Sequence, residues 1–210
     1  MSDQRYQMLK RLGEVLFRYR SFTPIPFVIL LFFIAQPSLL SIGFGSSLLL
    51  VGLFLRILSV RYVGKGERGR EVGGERLVIG GPYRHLRNPV YLGNFILSLG
   101  FIFFAAGWKI WVFPIFILFF FLQYTPIVLL EERVLRERFG EEYERYFKEV
   151  PRFIPKIYSF QGRVSVTESQ IHELSWRKAI RSERSTLLTV FLLYSLFLFK
   201  GLLINSIILP

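Results

Sequence analysis

Apolar and polar positions alternate along the chain so as to leave five apolar runs separated by charged connections. The first, Phe22 to Ala35, is short, and Pro24 and Pro26 suit a helix start, so it is expected to be tilted or partly reentrant. Gln36-Pro37-Ser38 separates it from the second run, Leu39 to Val60, and the two should form a helical hairpin. Gly43, Gly45, Ser46, Ser47 and Gly52 give the second run a small-residue face for close helix packing. Arg56, near its charged end, is expected to snorkel to the interface, with an anion contact inside the bundle as the alternative. Val90 to Gly107 and Ile110 to Leu130 are the third and fourth runs, joined by a tight turn at Trp108-Lys109. At about 1.5 Å per residue each matches a hydrocarbon layer of roughly 30 Å. As antiparallel neighbours they bring Glu131-Glu132 to the same side as the stretch that precedes the third run. Ser185 to Leu209 is the fifth run, interrupted by Lys200 and Asn205.

The flanking segments read as amphipathic. In residues 1–20, Arg5, Lys10, Arg11, Arg18 and Arg20 alternate with Tyr6, Leu9, Leu12, Val15, Leu16 and Phe17 at helical spacing, which predicts a helix on the membrane face. From Glu131 to Phe160, Leu135, Phe139, Tyr143, Phe147 and Val150 share one face; Gly140 interrupts the pattern and Pro151 and Pro155 end it. This segment should cover the cytosolic mouth of the bundle. Gln161 to Arg184 is a polar linker with a basic stretch at 176–181. The expected architecture is all-α: a polytopic membrane bundle of about five transmembrane helices. Its units are an interfacial helix at 1–21, a membrane core at 22–160, a cytosolic linker at 161–184 and an additional C-terminal transmembrane helix at 185–210.

Composition narrows the class. With 52% hydrophobic and 17% aromatic residues in 210, the chain is too apolar for an ordinary soluble domain. The net charge of +12 lies in clusters beside apolar runs, which orients a chain in an anionic membrane and argues against a nucleic-acid partner. Counting positive residues places the amino terminus, the 61–89 loop and the 131–184 region in the cytosol, and the carboxyl terminus outside. Met1 to Arg20 is too polar for a secretory signal. The absence of cysteine excludes disulfides, thiolate metal sites and a thiol nucleophile. His85 and His172, the only histidines, have no partner at metal spacing, so no metal is expected. Gly64-Lys65-Gly66-Glu67-Arg68-Gly69 matches the dinucleotide fingerprint but follows a membrane span with no βαβ unit around it; it reads as a flexible loop over a ligand.

The chemistry gathers at Gly80 to Gly93, an irregular, cationic stretch at the mouth of the third run. Tyr83, Arg84, His85, Arg87, Asn88 and Tyr91 converge there with Glu131 and Glu132. Carboxylates grip ribose hydroxyls or an ammonium, arginines such as Arg87 fork a carboxylate, and tyrosine faces stabilise a cation. The set suits a zwitterionic, nucleoside-like ligand.

The run from Leu77 to Gly93, followed by Glu131-Glu132-Arg133-Val134-Leu135, Phe139-Gly140-Glu141-Glu142-Tyr143 and Val150-Pro151-Arg152-Phe153-Ile154-Pro155, resembles the isoprenylcysteine carboxyl methyltransferase and phospholipid methyltransferase family. The resemblance implies an integral-membrane methyltransferase that uses S-adenosyl-L-methionine bound in a cytosolic region. It places cofactor contacts on Glu75, Arg76, Leu77, Val78, Tyr83, Asn88, Pro89, Val90, Tyr91 and Glu131. The implied acceptor is a lipid or prenylated small molecule entering from the bilayer. An isoprenylcysteine-type carboxylate would undergo O-methyl transfer; a phospholipid amine is the alternative, its proton taken by Glu132 or His85. The carboxyl methyltransferases of that family carry histidine where this chain has Asn88, and an arginine where it has Ile127. From another class, the chain would be a non-catalytic membrane scaffold on the same fold.

Overall fold

The computed structural model describes residues 3–63, 77–107, 109–160 and 173–208. The glycine fingerprint at 64–69, Glu75, Arg76, Trp108 and His172 lie outside them. In chain order the helices are α1 Asp3–Tyr19, α2 Ile25–Ile34, α3 Leu39–Val63, α4 Pro89–Ala106, α5 Val112–Glu149, α6 Trp176–Ser182 and α7 Arg184–Ile208. A single 3-10 turn, Gly81–Arg84, precedes α4. No strand occurs among the described residues. Among the described residues, four helices are long and apolar enough to cross a membrane: α3, α4, α5 and α7 over Arg184–Leu203. They expose Leu50 and Phe54, Leu118 and Leu122, and Phe191 and Phe199, the surface that hydrocarbon covers in a multi-pass bundle.

The first apolar run differs from a complete span. Proline at its first turn starts α2 late and Ala35 is already extended, so the helix has 10 residues, about 15 Å, half the hydrocarbon depth. α1 and α2 together run antiparallel to α5. Gly13 packs against Leu130 and the Pro126 carbonyl. Beyond it, the Gln123 amide donates to the Arg20 carbonyl at 3.2 Å, Phe27 meets Phe116 and Phe119, and Lys109 donates to the Ile34 carbonyl at 3.2 Å. From Val112 to Leu130, α5 rises about 27 Å. α1 is thus docked by its Gly13–Phe17 face rather than lying on the membrane surface by itself, an arrangement its amphipathic pattern serves equally well.

The broken pair leaves the C-terminal carbonyls of α2 to be satisfied inside the bundle. Lys109 reaches Ile34 and the Gln36 side chain. Lys200, from α7, donates to the carbonyls of Phe32 and Phe33. The lysine that interrupts the last apolar run is therefore a helix cap, where a positive charge meets the negative end of the helix dipole.

Between α3 and α4 the small-residue face is realised at two of the five expected positions. A Cβ on Gly45 would lie 2.7 Å from the Gly100 carbonyl and 2.7 Å from the Phe104 nitrogen. One on Gly52 would lie 2.9 Å from the Leu97 nitrogen and 3.0 Å from the Gly93 carbonyl. Both helices thus place glycine every seven residues and meet backbone to backbone. Gly43 has nothing within 4 Å, Ser47 turns back on the Gly43 carbonyl, and Ser46 faces Tyr194 on α7. Gly45→Val should therefore cost about 1–3 kcal/mol through overpacking, whereas Gly43→Val should stay within about 0.5 kcal/mol; thermal unfolding in detergent distinguishes the two.

α5 passes the membrane boundary without a break. The apolar run continues as helix through Glu131 and Glu132 to Gly140, whose non-helical backbone (φ 50°) divides Val112–Glu149 into two helical segments. The segment beyond Glu131 forms a second core: Tyr143, Tyr146 and Val150 enclose Leu77 and Phe160, with Leu135, Phe139 and Phe147 packed against them. The expected cover over the mouth is this cluster.

Candidate functional site

Two neighbouring glutamates at the membrane boundary of α5 organise the site. Successive helical residues point about 100° apart, so Glu131 and Glu132 face different surroundings. Glu131 accepts the Tyr91 hydroxyl at 2.8 Å. The Tyr91 ring lies against that of Tyr124, centroids 5.1 Å apart, and the Tyr124 hydroxyl accepts from Asn94 at 3.2 Å. This is the convergence that the antiparallel α4–α5 pair predicts.

Glu132 faces a clamp. Its Oε2 receives the Arg152 guanidinium at 2.6 Å and its Oε1 stands 3.3 Å from Arg87 Nε. The Asn88 amide adds contacts to Glu132 at 3.4 Å and to the Arg152 carbonyl at 3.3 Å. The bond to Glu132 pushes the Arg152 pKa above its ordinary value and keeps the guanidinium charged. Arg87 also donates to the Phe147 carbonyl at 3.1 Å and lies 3.9 Å over that ring.

Backbone bonds fasten the segment before α4 to the segment after α5. Arg87 N–H donates to the Pro151 carbonyl at 2.9 Å, Lys156 N–H to His85 at 2.9 Å and Phe160 N–H to Arg84 at 3.0 Å. The Tyr146 hydroxyl holds the Tyr83 carbonyl at 2.8 Å. Gly81, at φ +53°, lies so close to the Tyr62 ring that a Cβ would come within 2.3 Å of it. Non-helical backbone at this depth is thereby covered by protein.

Of the residues singled out in the sequence, Tyr91 meets Glu131, and Asn88 and Arg87 meet Glu132. Pro89 is buried at the first turn of α4, with Val90 beside it. Leu77 sits in the second core with Val78 next to it, and Tyr83 is held through its backbone. His85 stands in a separate groove, bonded to the Lys156 carbonyl at 2.8 Å. No group of three or more metal-ligating side chains occurs among the described residues.

Sequence reasoning missed Tyr124, Asn94, Arg20 and Arg152. Asn94 lies one turn beyond Tyr91, and Tyr124 carries a polar tip inside an apolar run, which is the available signal for both. Arg20 emerges at the α1–α2 break, its guanidinium 4.0 Å over the Phe17 ring and bonded to the Phe17 carbonyl at 2.8 Å. Phe17 shares a core with Tyr91, Tyr124 and Ile127, and the Arg20 charge acts on Glu131 and Tyr91.

Arg56 also differs from the snorkelling expectation. It is buried and bonds Glu183 at 2.9 and 3.1 Å, Thr186 at 3.2 Å, and Asn94. The anion it meets inside the bundle is the chain's own carboxylate. A polar chain therefore runs from the α6–α7 junction through Arg56 and Asn94 to Tyr124.

The phospholipid methyltransferase family's sequence model matches residues 40–142. The cobalt-zinc-cadmium resistance protein CzcN of Cupriavidus metallidurans is 31% identical over 148 residues, covering 69% of this chain and 61% of that protein. The chain thus spans about three fifths of the length of this relative. No solved structure matches.

Proposed function

We propose that this multi-pass membrane protein is an S-adenosylmethionine-dependent methyltransferase acting on a lipid-like acceptor, a reading supported by the match of residues 40–142 to the phospholipid methyltransferase family's sequence model. The observation that carries the reading is the Tyr91–Glu131 pair, 2.8 Å apart, at the junction of apolar and cytosolic cores. A carboxylate, tyrosine rings and a neighbouring amide are the donor set a sulfonium nucleoside asks for. Tyr91, Asn88, Tyr83 and Glu131 would hold it, with Glu75 and Arg76 as further contacts from the segment outside the described residues. The chemistry supplied on binding is an electrophilic methyl group.

The rest belongs to the chain's own residues. Glu131 fixes the ligand's polar end, and the Tyr91–Tyr124 face keeps water from the transfer region, so that alignment and water exclusion supply most of the rate. Arg20 binds an anionic oxygen of an acceptor that arrives from the bilayer beside the α1–α2 break. Glu132, held by Arg87 and Arg152, serves as a clamp more readily than as a base, which suits a carboxylate acceptor that has no proton to lose. The site and the amino terminus lie in the cytosol in this reading, and the carboxyl terminus outside.

The test is calorimetric titration of S-adenosylmethionine into purified protein in lipid nanodiscs. Glu131→Ala should weaken binding at least tenfold, the size of a lost hydrogen bond to a charged group, roughly 1.5–3 kcal/mol. Equal affinity in mutant and wild type overturns the site. No binding by folded wild-type protein favours the scaffold.

A further inference from the structure

A cavity with a volume of about 760 Å³ opens against the 3-10 turn. Neither Tyr91 nor Glu131 lines it. Its inner end is apolar: Leu55 and Leu58 from α3 and Leu92 from α4. Its outer end is polar: Arg84, His85 and Glu173. The floor is the Tyr62 ring, packed against the backbone of Gly80 and Gly81.

The charges at the outer end do not cancel within it. Glu173 is held by Arg61 at 2.5 Å and accepts the Tyr62 hydroxyl, so its negative charge is answered from outside the cavity. Arg84 is exposed at the rim. The His85 ring, donating through Nδ1 to the Lys156 carbonyl, is fixed in the wall. A cationic rim above an apolar slot, at the end of the spans where the chain's positive residues gather, is complementary to an anionic headgroup with its acyl chains directed into the bilayer.

We propose that this cavity binds an anionic phospholipid, its phosphodiester at Arg84 and His85 and its chains along Leu55, Leu58 and Leu92. The site is distinct from the one proposed for the methyl donor and stands whether or not that reading holds. Bound there, the lipid braces the outer ends of α3 and α4 against the turn that leads into the Asn88–Tyr91 segment.

The cysteine-free chain makes the test direct. A fluorophore is placed on Val51→Cys, one turn below Leu55 on α3, or on Leu118→Cys on α5; these residues are 53% and 63% exposed, so neither change disturbs packing. Each protein is set in phosphatidylcholine nanodiscs and titrated with doxyl-labelled phosphatidylglycerol or doxyl-labelled phosphatidylcholine. At position 51, phosphatidylglycerol should quench half-maximally at a mole fraction about fivefold lower than at position 118, the preference one or two basic groups confer. Phosphatidylcholine should show no such difference. Arg84→Gln with His85→Gln, which keeps the cavity's shape, should bring the position-51 curve onto that of position 118. Identical curves at both positions in the otherwise wild-type chain mean annular lipid only and overturn the proposal. So does a preference that survives the double substitution, or one shared equally by phosphatidylcholine.

Discussion

Glu132→Ala should lower the thermal midpoint in detergent by on the order of 10 °C. Its carboxylate is the shared anion of Arg87, Arg152 and the Asn88 amide. The Arg87 side chain is only 8% exposed, so the substitution strands a buried guanidinium. Removing one partner of a buried pair costs about 3–5 kcal/mol, far above the value of a surface bridge, and each kcal/mol moves the midpoint of a chain this size by about 2–4 °C. Arg152→Ala should be milder, because Arg152 is 34% exposed and Glu132 keeps Arg87. A midpoint in Glu132→Ala within a degree or two of wild type would show that the clamp is not what closes the second core. The contrast with the adjacent residue sharpens the point: Glu131→Ala is expected to lose ligand and keep the fold.

The second large effect lies in the bundle. Glu183→Ala removes the carboxylate that takes two bonds from Arg56, with Glu183 itself 0% exposed. The expected cost is again about 3–5 kcal/mol. Asn94 and Thr186 remain on Arg56, but neither neutralises it. The double variant Arg56→Leu/Glu183→Leu should be more stable than Glu183→Ala, since no charge is left without a partner. Additive midpoints in that cycle would mean that the pair does not couple α3 to the α6–α7 junction.

Much of this architecture is legible in the sequence, for geometric reasons. Two apolar runs of membrane length joined by a tight turn must be antiparallel, and that alone brings Asn88–Tyr91 to Glu131–Glu132. Gly45 and Gly52 are readable as a packing face because their spacing repeats on one side of a helix. Periodicity is silent where partners are distant. Arg56 and Glu183 are 127 positions apart, and nothing local tells a snorkelling arginine from a paired one. Lys200 looks like an interruption of α7 because its partners, the carbonyls of Phe32 and Phe33, lie 168 and 167 positions away at the end of α2. Residues 1–20 show an apolar stripe whose occupant, lipid or α5, the pattern does not specify. The run to Leu130 and the amphipathic segment beyond it look like two elements because composition changes there, although the backbone continues.

The close approach of α3 and α4 sets how far the bundle can flex. Side-chain interfaces yield because rotamers shift, but Gly45 and Gly52 set backbone against backbone and leave nothing there to swing aside. These two helices therefore move as one rigid post, and the polar groups they carry, Arg56 on one and Asn94 on the other, keep a fixed spacing.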